Sequence, residues 1–141
     1  MTVAFDTNVI LDAAMGRNDY ESAQALVQAV LSEDVTGVVT ANTITDIHYI
    51  IKKRAGDKAA REVVQNTLDI FEIAPVDGEM CAEALNLGMD DFEDAVLAVS
   101  ADTVGARYIA TGDKGFIGSA ESPVPALHPK DVLARIREAG E

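Results

Sequence analysis

Thr2-Val3-Ala4-Phe5-Asp6 decides the fold: a short, near-continuous apolar run that breaks off at an acid. The run has no alternation of polar and apolar residues, so it reads as a strand buried on both faces rather than one with a wet side. Val35–Thr40 and Arg107–Thr111 have the same character, Ile70–Val76 reads as another strand, and Pro123–Leu127 as a short fifth. Helical periodicity fills the intervals. Tyr20, Ala23, Leu26, Val27, Val30 and Leu31 mark a helix over 19–33, with Asp19 at its cap. Asn42-Thr43 opens a helix through Ile44, Ile47, Ile50 and Ile51 to Gly56, and a further helix runs from Asp57 to about Leu68. Helices are expected over 78–88, 91–103 and 129–137, the last begun by Pro129. Val9-Ile10-Leu11 is expected to be only a brief apolar turn. Strands alternating with helices predict a three-layer α/β/α domain over residues 1–141, with a mainly parallel central sheet of four or five strands.

The chain of 141 residues contains 48% apolar and 25% charged residues, an ordinary globular profile. No apolar run approaches the ~20 residues that span a bilayer, so no membrane partner is expected. The single cysteine, Cys81, forbids an internal disulfide and reads as a small core residue. A reducing, cytoplasmic compartment is expected. The net charge of −13 opposes nucleic-acid binding. Charges beyond ~8 Å are screened, however, and five of the eleven basic residues lie between Lys52 and Arg61. That cluster reads first as the solvated end of a helix. His48 reads as a satisfied helix residue.

In a parallel α/β fold, ligands bind at the carboxyl ends of the strands. Asp6 ends the first strand there, Asp46 is expected in the first turn of the helix after the second, and Asp113 follows the fourth. Asp94 opens a helix (Phe92–Ala101) that is apolar nearly all round, where a carboxylate is costly unless paired or metal-bound. Taken singly, these acids also read as caps: Asp91-x-x-Asp94 and Thr43-x-x-Asp46 both have the spacing of a capping box. Four at one sheet edge are harder to explain that way. Two carboxylates ~4 Å apart repel by roughly 4 kcal/mol at an effective dielectric of 20, which calls for cations, and all-oxygen ligands suit Mg²⁺ or Mn²⁺ rather than zinc. Phosphodiester hydrolysis is the economical chemistry of such a site.

The blocks Asp6-Thr7-Asn8-Val9-Ile10-Leu11-Asp12, Thr43-Ile44-Thr45-Asp46-Ile47, Asp91-Phe92-Glu93-Asp94-Ala95 and Tyr108-Ile109-Ala110-Thr111-Gly112-Asp113-Lys114-Gly115-Phe116 resemble, in order, those of the PIN-domain family. A chain of this length is similar to the VapC-like toxins within it. The resemblance implies a Mg²⁺/Mn²⁺-dependent endoribonuclease, a homodimer and a cognate antitoxin. It implies an acidic quartet of Asp6, Asp46, Asp94 and Asp113 as catalytic and metal-holding residues, supported by Thr7, Asn8 and Thr111. The second acid is commonly Glu in that family, and Asp46 reaches one methylene less. Asp91 and Asp12 are alternates, read first as a helix cap and a surface acid.

Two other functions are compatible with parts of this reading. One is a catalytically silent PIN-like module kept for binding or assembly. The other is a phosphoacceptor receiver using Asp77, Thr111 and Lys114, although a receiver wants adjacent acids after its first strand, where this chain has only Asp6.

Overall fold

The computed structural model describes residues 1–140; Glu141, the last residue of the expected domain, lies outside the described residues. Five parallel strands form one sheet: β1 (Thr2–Phe5), β2 (Thr36–Thr40), β3 (Glu72–Ala74), β4 (Tyr108–Ala110) and β5 (Ala126–Leu127), in the order β3-β2-β1-β4-β5. The chain builds outward from β1 to β3, then returns to the other side of β1 for β4 and β5. The order therefore reverses between β1 and β4, the place where such folds open a crevice.

Among the described residues, eight helices cover the sheet: α1 (Thr7–Met15), α2 (Tyr20–Leu31), α3 (Ala41–Ala55), α4 (Asp57–Ile70), α5 (Gly78–Leu85), α6 (Phe92–Thr103), α7 (Lys114–Ile117) and α8 (Pro129–Gly140). Pleating sends Val3, Phe5 and Val39 to one face, where they pack with Leu11, Leu26, Ile47, Ile51 and Val132. Ala4, Val38 and Ile109 point to the other, against Leu97, Ala98, Ala101 and Phe116. Phe5 meets Phe71 edge-on, with centroids 4.9 Å apart. Small residues on both sides of the second interface, Ala4 against Ala98 and Ala101, let α6 lie close to the sheet.

Two expectations are corrected. Val9–Leu11 is not an isolated turn but the buried centre of α1. Three consecutive apolar residues carry no helical period, yet this helix packs against α2 and α3 and shares a core cluster with Val3 and Phe5, so one turn is covered on several sides. Gly16, in the left-handed conformation at φ 66°, ends it. Cys81 is half-buried rather than part of the core. The four-residue α7 was not anticipated, and the strands are shorter than their apolar runs. Among the described residues, no helix is long and apolar enough to cross a membrane.

Candidate active site

The backbone of β1 keeps its pairing with β4 as far as Asp6, whose N–H donates to the Ala110 carbonyl at 2.9 Å. One residue beyond β4, the fully buried Thr111 donates its hydroxyl to Asp6 Oδ2 at 2.8 Å and accepts the Asp113 N–H at 3.1 Å. A single threonine thus holds both acids at the strand-order reversal. Asp6 occupies the N-cap position of α1 without a side-chain capping hydrogen bond. Asp113 caps α7 through the Gly115 N–H at 3.0 Å.

Helix α3 is tied in from the other side. Thr7 and Thr43 share a buried hydroxyl–hydroxyl bond of 2.8 Å, with Thr40 Oγ1 3.4 Å from Thr43. This corrects the expected capping box: α3 starts at Ala41 with Thr40 at its N-cap position, and the Thr43 hydroxyl turns inward. Asp46 is therefore in the second turn of α3, free of any capping duty. Asp91 does cap α6, accepting the Asp94 N–H at 3.0 Å. From Ala95 to Ala101 that helix is buried without interruption.

These constraints bring together Asp6, Asp46, Asp91, Glu93, Asp94 and Asp113, which with Thr7, Asn8 and Ile50 line a cavity of about 330 Å³. No lysine, arginine or histidine is among them. Adjoining cavities share Asp94 and Asp113 on one side and Asp6, Asn8 and Asp113 on the other, so the acids form the middle of a longer trough. All four acids expected from the sequence meet here, as do Thr7 and Asn8. Thr111 stands behind Asp6. Glu93 was missed, although an acid beside Asp94 in the first turn of an otherwise apolar helix was a usable signal.

The electrostatics follow from this crowding. Burial, then the charges of Asp91, Asp6 and Asp113 and a hydrogen bond with Asp113, raise Asp94 to about 7. Glu93 is raised by burial first and by Asp46, Asp91 and Asp6 after it. Burial raises Asp6 as well, with Asp113 adding to it, while the Thr111 hydroxyl and the amides of Asn8 and Thr7 pull the other way. Carboxylates that share a site without a compensating cation behave in this way.

A family model for the PIN domain matches residues 2–115. The chain belongs to the PIN-domain family. Comparison with curated proteins returns no match. Among solved structures, the fold is similar to VapBC2 from Rickettsia felis, bound to a DNA fragment from its promoter (TM-score 0.69, 14% identity, covering 91% of this chain and 98% of that one). It is also similar to Mycobacterium tuberculosis VapC20, a sarcin-ricin loop cleaving toxin (0.67, 16%, 84% and 97%). A third is PAE2754 from Pyrobaculum aerophilum (0.67, 17%, 98% and 96%). At these identities the likeness is one of fold. All four expected acids of this PIN domain lie inside the matched residues.

Several other polar residues of the PIN domain have ordinary structural partners. Asp77, which a receiver would phosphorylate, caps α5 through the Met80 N–H at 2.9 Å. Asp57 joins α3 to α4, with Arg61 Nε at 2.7 Å, His48 Nε2 at 3.5 Å and Lys52 Nζ at 3.9 Å. Its carboxyl is lowered by the Arg61 hydrogen bond above all. Asp12 is no free surface acid, since Arg17 Nε and Asn18 Nδ2 both bond to its Oδ1.

Among the described residues, no three His, Cys, Asp or Glu side chains already stand together as a formed metal cage. The donor chemistry nevertheless fits a hard divalent cation: oxygen ligands only, several of them reluctant to ionise, and no basic side chain lining the cavity.

Proposed function

We propose that this chain, as one PIN domain over residues 1–141, is a Mg²⁺/Mn²⁺-dependent endoribonuclease and the toxin of a toxin–antitoxin pair. The observation that carries the reading is the trough of six acids at the carboxyl edge of the sheet, with Asp94 raised to about 7 and no basic group to relieve it. Asp6, Asp94 and Asp113 are the residues to hold the metal, with Asp46 as a further ligand or outer-sphere base. When bound, a divalent cation supplies a lowered water pKa and stabilises charge on a phosphoryl group.

The chain's own contributions are positional. Thr111 holds the carboxylate of Asp6 and the backbone of Asp113 in fixed relation. The Thr7–Thr43 bond keeps α3, and with it Asp46, against the start of α1. Asp91 fixes the first turn of α6 and so the backbone under Asp94. The open trough admits a single-stranded or looped phosphodiester. The antitoxin and the RNA substrate are proposed with the support of the fold neighbours, one VapBC2 bound to a promoter DNA fragment and the other a sarcin-ricin loop cleaving toxin. Homodimerisation rests on the family resemblance, and cytoplasmic location on the lone cysteine.

The test is cleavage of a mixed, structured RNA pool by purified protein with Mn²⁺, with EDTA, and as Asp6→Asn. Metal-dependent cutting that both controls abolish is expected. No cutting and no stoichiometric Mn²⁺ uptake would sink the enzyme and leave a binding module. Light scattering of the purified chain tests the dimer.

A further inference from the structure

Helix α1 carries Asn8 and Asp12 one turn apart on the same face. Past its end, Gly16 at φ 66° and Asn18 at φ 50° fold the chain back, so that Arg17 lies along that face. Its Nε donates to Asp12 Oδ1 at 2.8 Å and its Nη2 to Asn8 Oδ1 at 2.8 Å, while Asn18 Nδ2 donates to the same Asp12 oxygen at 3.0 Å. The Asp12 side chain is only 14% exposed and that of Arg17 31%, so their ion pair is partly desolvated, while Asn8 and Asn18 are exposed at its edge.

A guanidinium has donors and no acceptor. The Asn8 amide must therefore turn its oxygen to Arg17, which leaves its NH₂ group directed away from the cluster. Asn8 borders both the acid-lined cavity and the adjoining one. Of the other side chains lining the acid cavity, Thr7 has its hydroxyl engaged with Thr43 and Ile50 is apolar. The rest are carboxyl groups. Asn8 is thus the one side chain there with an N–H to offer. A phosphodiester oxygen entering among carboxylates is served by such a neutral donor, which stabilises its charge without neutralising the acids that hold a cation.

We propose that Arg17 is a positioning residue: with Asp12 it clamps the Asn8 amide so that Nδ2 donates to a non-bridging oxygen of the RNA phosphodiester. The inference rests on the ribonuclease reading above. Arg17 acts through Asn8, because its own charge is already matched by Asp12.

Two measurements test it together. In cleavage assays with Mn²⁺, Arg17→Ala is expected to lower kcat about tenfold, the cost of freeing one side chain, with KM nearly unchanged. Asn8→Ala is expected to lose at least as much, and the double variant no more than Asn8→Ala alone. Added guanidinium ion restores Arg17→Ala but not Asn8→Ala. Independently of activity, ¹⁵N relaxation is expected to show the Asn8 side-chain amide rigid in the wild type and mobile in Arg17→Ala. Losses that multiply in the double variant, or a rise in KM alone, would put Arg17 directly on the RNA and overturn the clamp. So would an Asn8 amide already mobile in the wild type. A wild type that cuts no RNA under Mn²⁺, yet keeps a rigid Asn8 amide, would refute the phosphate role through the ribonuclease reading while leaving the Arg17–Asn8 contact in place.

Discussion

Replacing Asp94 by Asn is expected to stabilise the metal-free protein at neutral pH. Holding this carboxyl at about 7 instead of 3.8 corresponds to about 4 kcal/mol against the ionised form if nothing screened it. Asp94 is only half-buried, and solvent screening cuts that to about 1–2 kcal/mol. The first turn of α6 favours a negative charge, worth about 0.3–1 kcal/mol in the opposite direction. A net gain of about 1 kcal/mol remains, or roughly 3–4 °C in Tm for a chain of this size. The pH dependence identifies the cause. Below pH 4 Asp94 is protonated in both the folded and the unfolded chain, so Asn has no advantage. From pH 4 to 7 the folded state holds a proton that the unfolded state has released, so wild-type stability falls as pH rises. Above pH 7 the difference is constant. Thermal unfolding in EDTA from pH 4 to 8 measures it directly. Equal or lower stability of Asp94→Asn at pH 7.5, or a gain that does not grow with pH, would refute the reasoning.

Other outcomes follow from neighbouring residues. Thr111→Val keeps the buried shape but removes both the donor to Asp6 and the acceptor for Asp113. A loss of about 1.5–3 kcal/mol is expected in denaturant titrations, together with loss of cleavage. At Gly37 an added Cβ would lie 2.7 Å from the Phe71 ring and 2.9 Å from Val30, so Gly37→Ala is expected to cost about 1–3 kcal/mol by chemical denaturation without altering the site. Binding of Mn²⁺ is expected to displace the proton from Asp94. Calorimetry in buffers of different ionisation enthalpy should record proton release at pH 6.5 that fades by pH 8, with affinity rising over the same interval. Binding without proton release would place the cation elsewhere.

The sheet was legible because β1, β2 and β4 are buried on both faces and therefore read as unbroken apolar runs. Their order and the reversal beside β1 follow from pairings between distant residues, which no local pattern records. Asp6 and Asp94 stood out for opposite reasons, one an acid ending a buried strand and the other an acid opening an apolar helix. Asp46 was placed a turn too early because Thr43 has the spacing of a capping box, and only the hydroxyl of Thr7, 36 positions away, shows where Thr43 points. Glu93 went unread because a charged residue at an exposed helix start is ordinary until Asp46 is known to face it across the cavity. The same holds for Arg17. Its role depends on Gly16 and Asn18 reversing the chain, and positive φ at an asparagine is not written in its neighbours.

Four of the six acids of the trough, Asp6, Asp46, Asp94 and Asp113, are held by something that carries no opposite charge. Asp6 has the Thr111 hydroxyl and the β1–β4 pairing, Asp46 has the Thr7–Thr43 bond beneath its helix, and Asp94 rides on an apolar α6. Asp113 accepts its own helix N–H. Several cations of the chain are engaged elsewhere: Arg61 and Lys52 on Asp57, Arg17 on Asp12, Lys53 over the ring of Tyr49. A fold selected for stability alone would bring one of these bases to the trough, since pairing would lower the carboxyl pKa values and remove the repulsion. Neutral contacts fix the geometry and leave the charge uncompensated. Burial first and repulsion after it are therefore a cost borne by the fold, about a kilocalorie for Asp94 alone, and no base lining the cavity offsets it. Under the proposed function, a protein of net charge −13 would meet an RNA phosphate at this trough through a divalent cation.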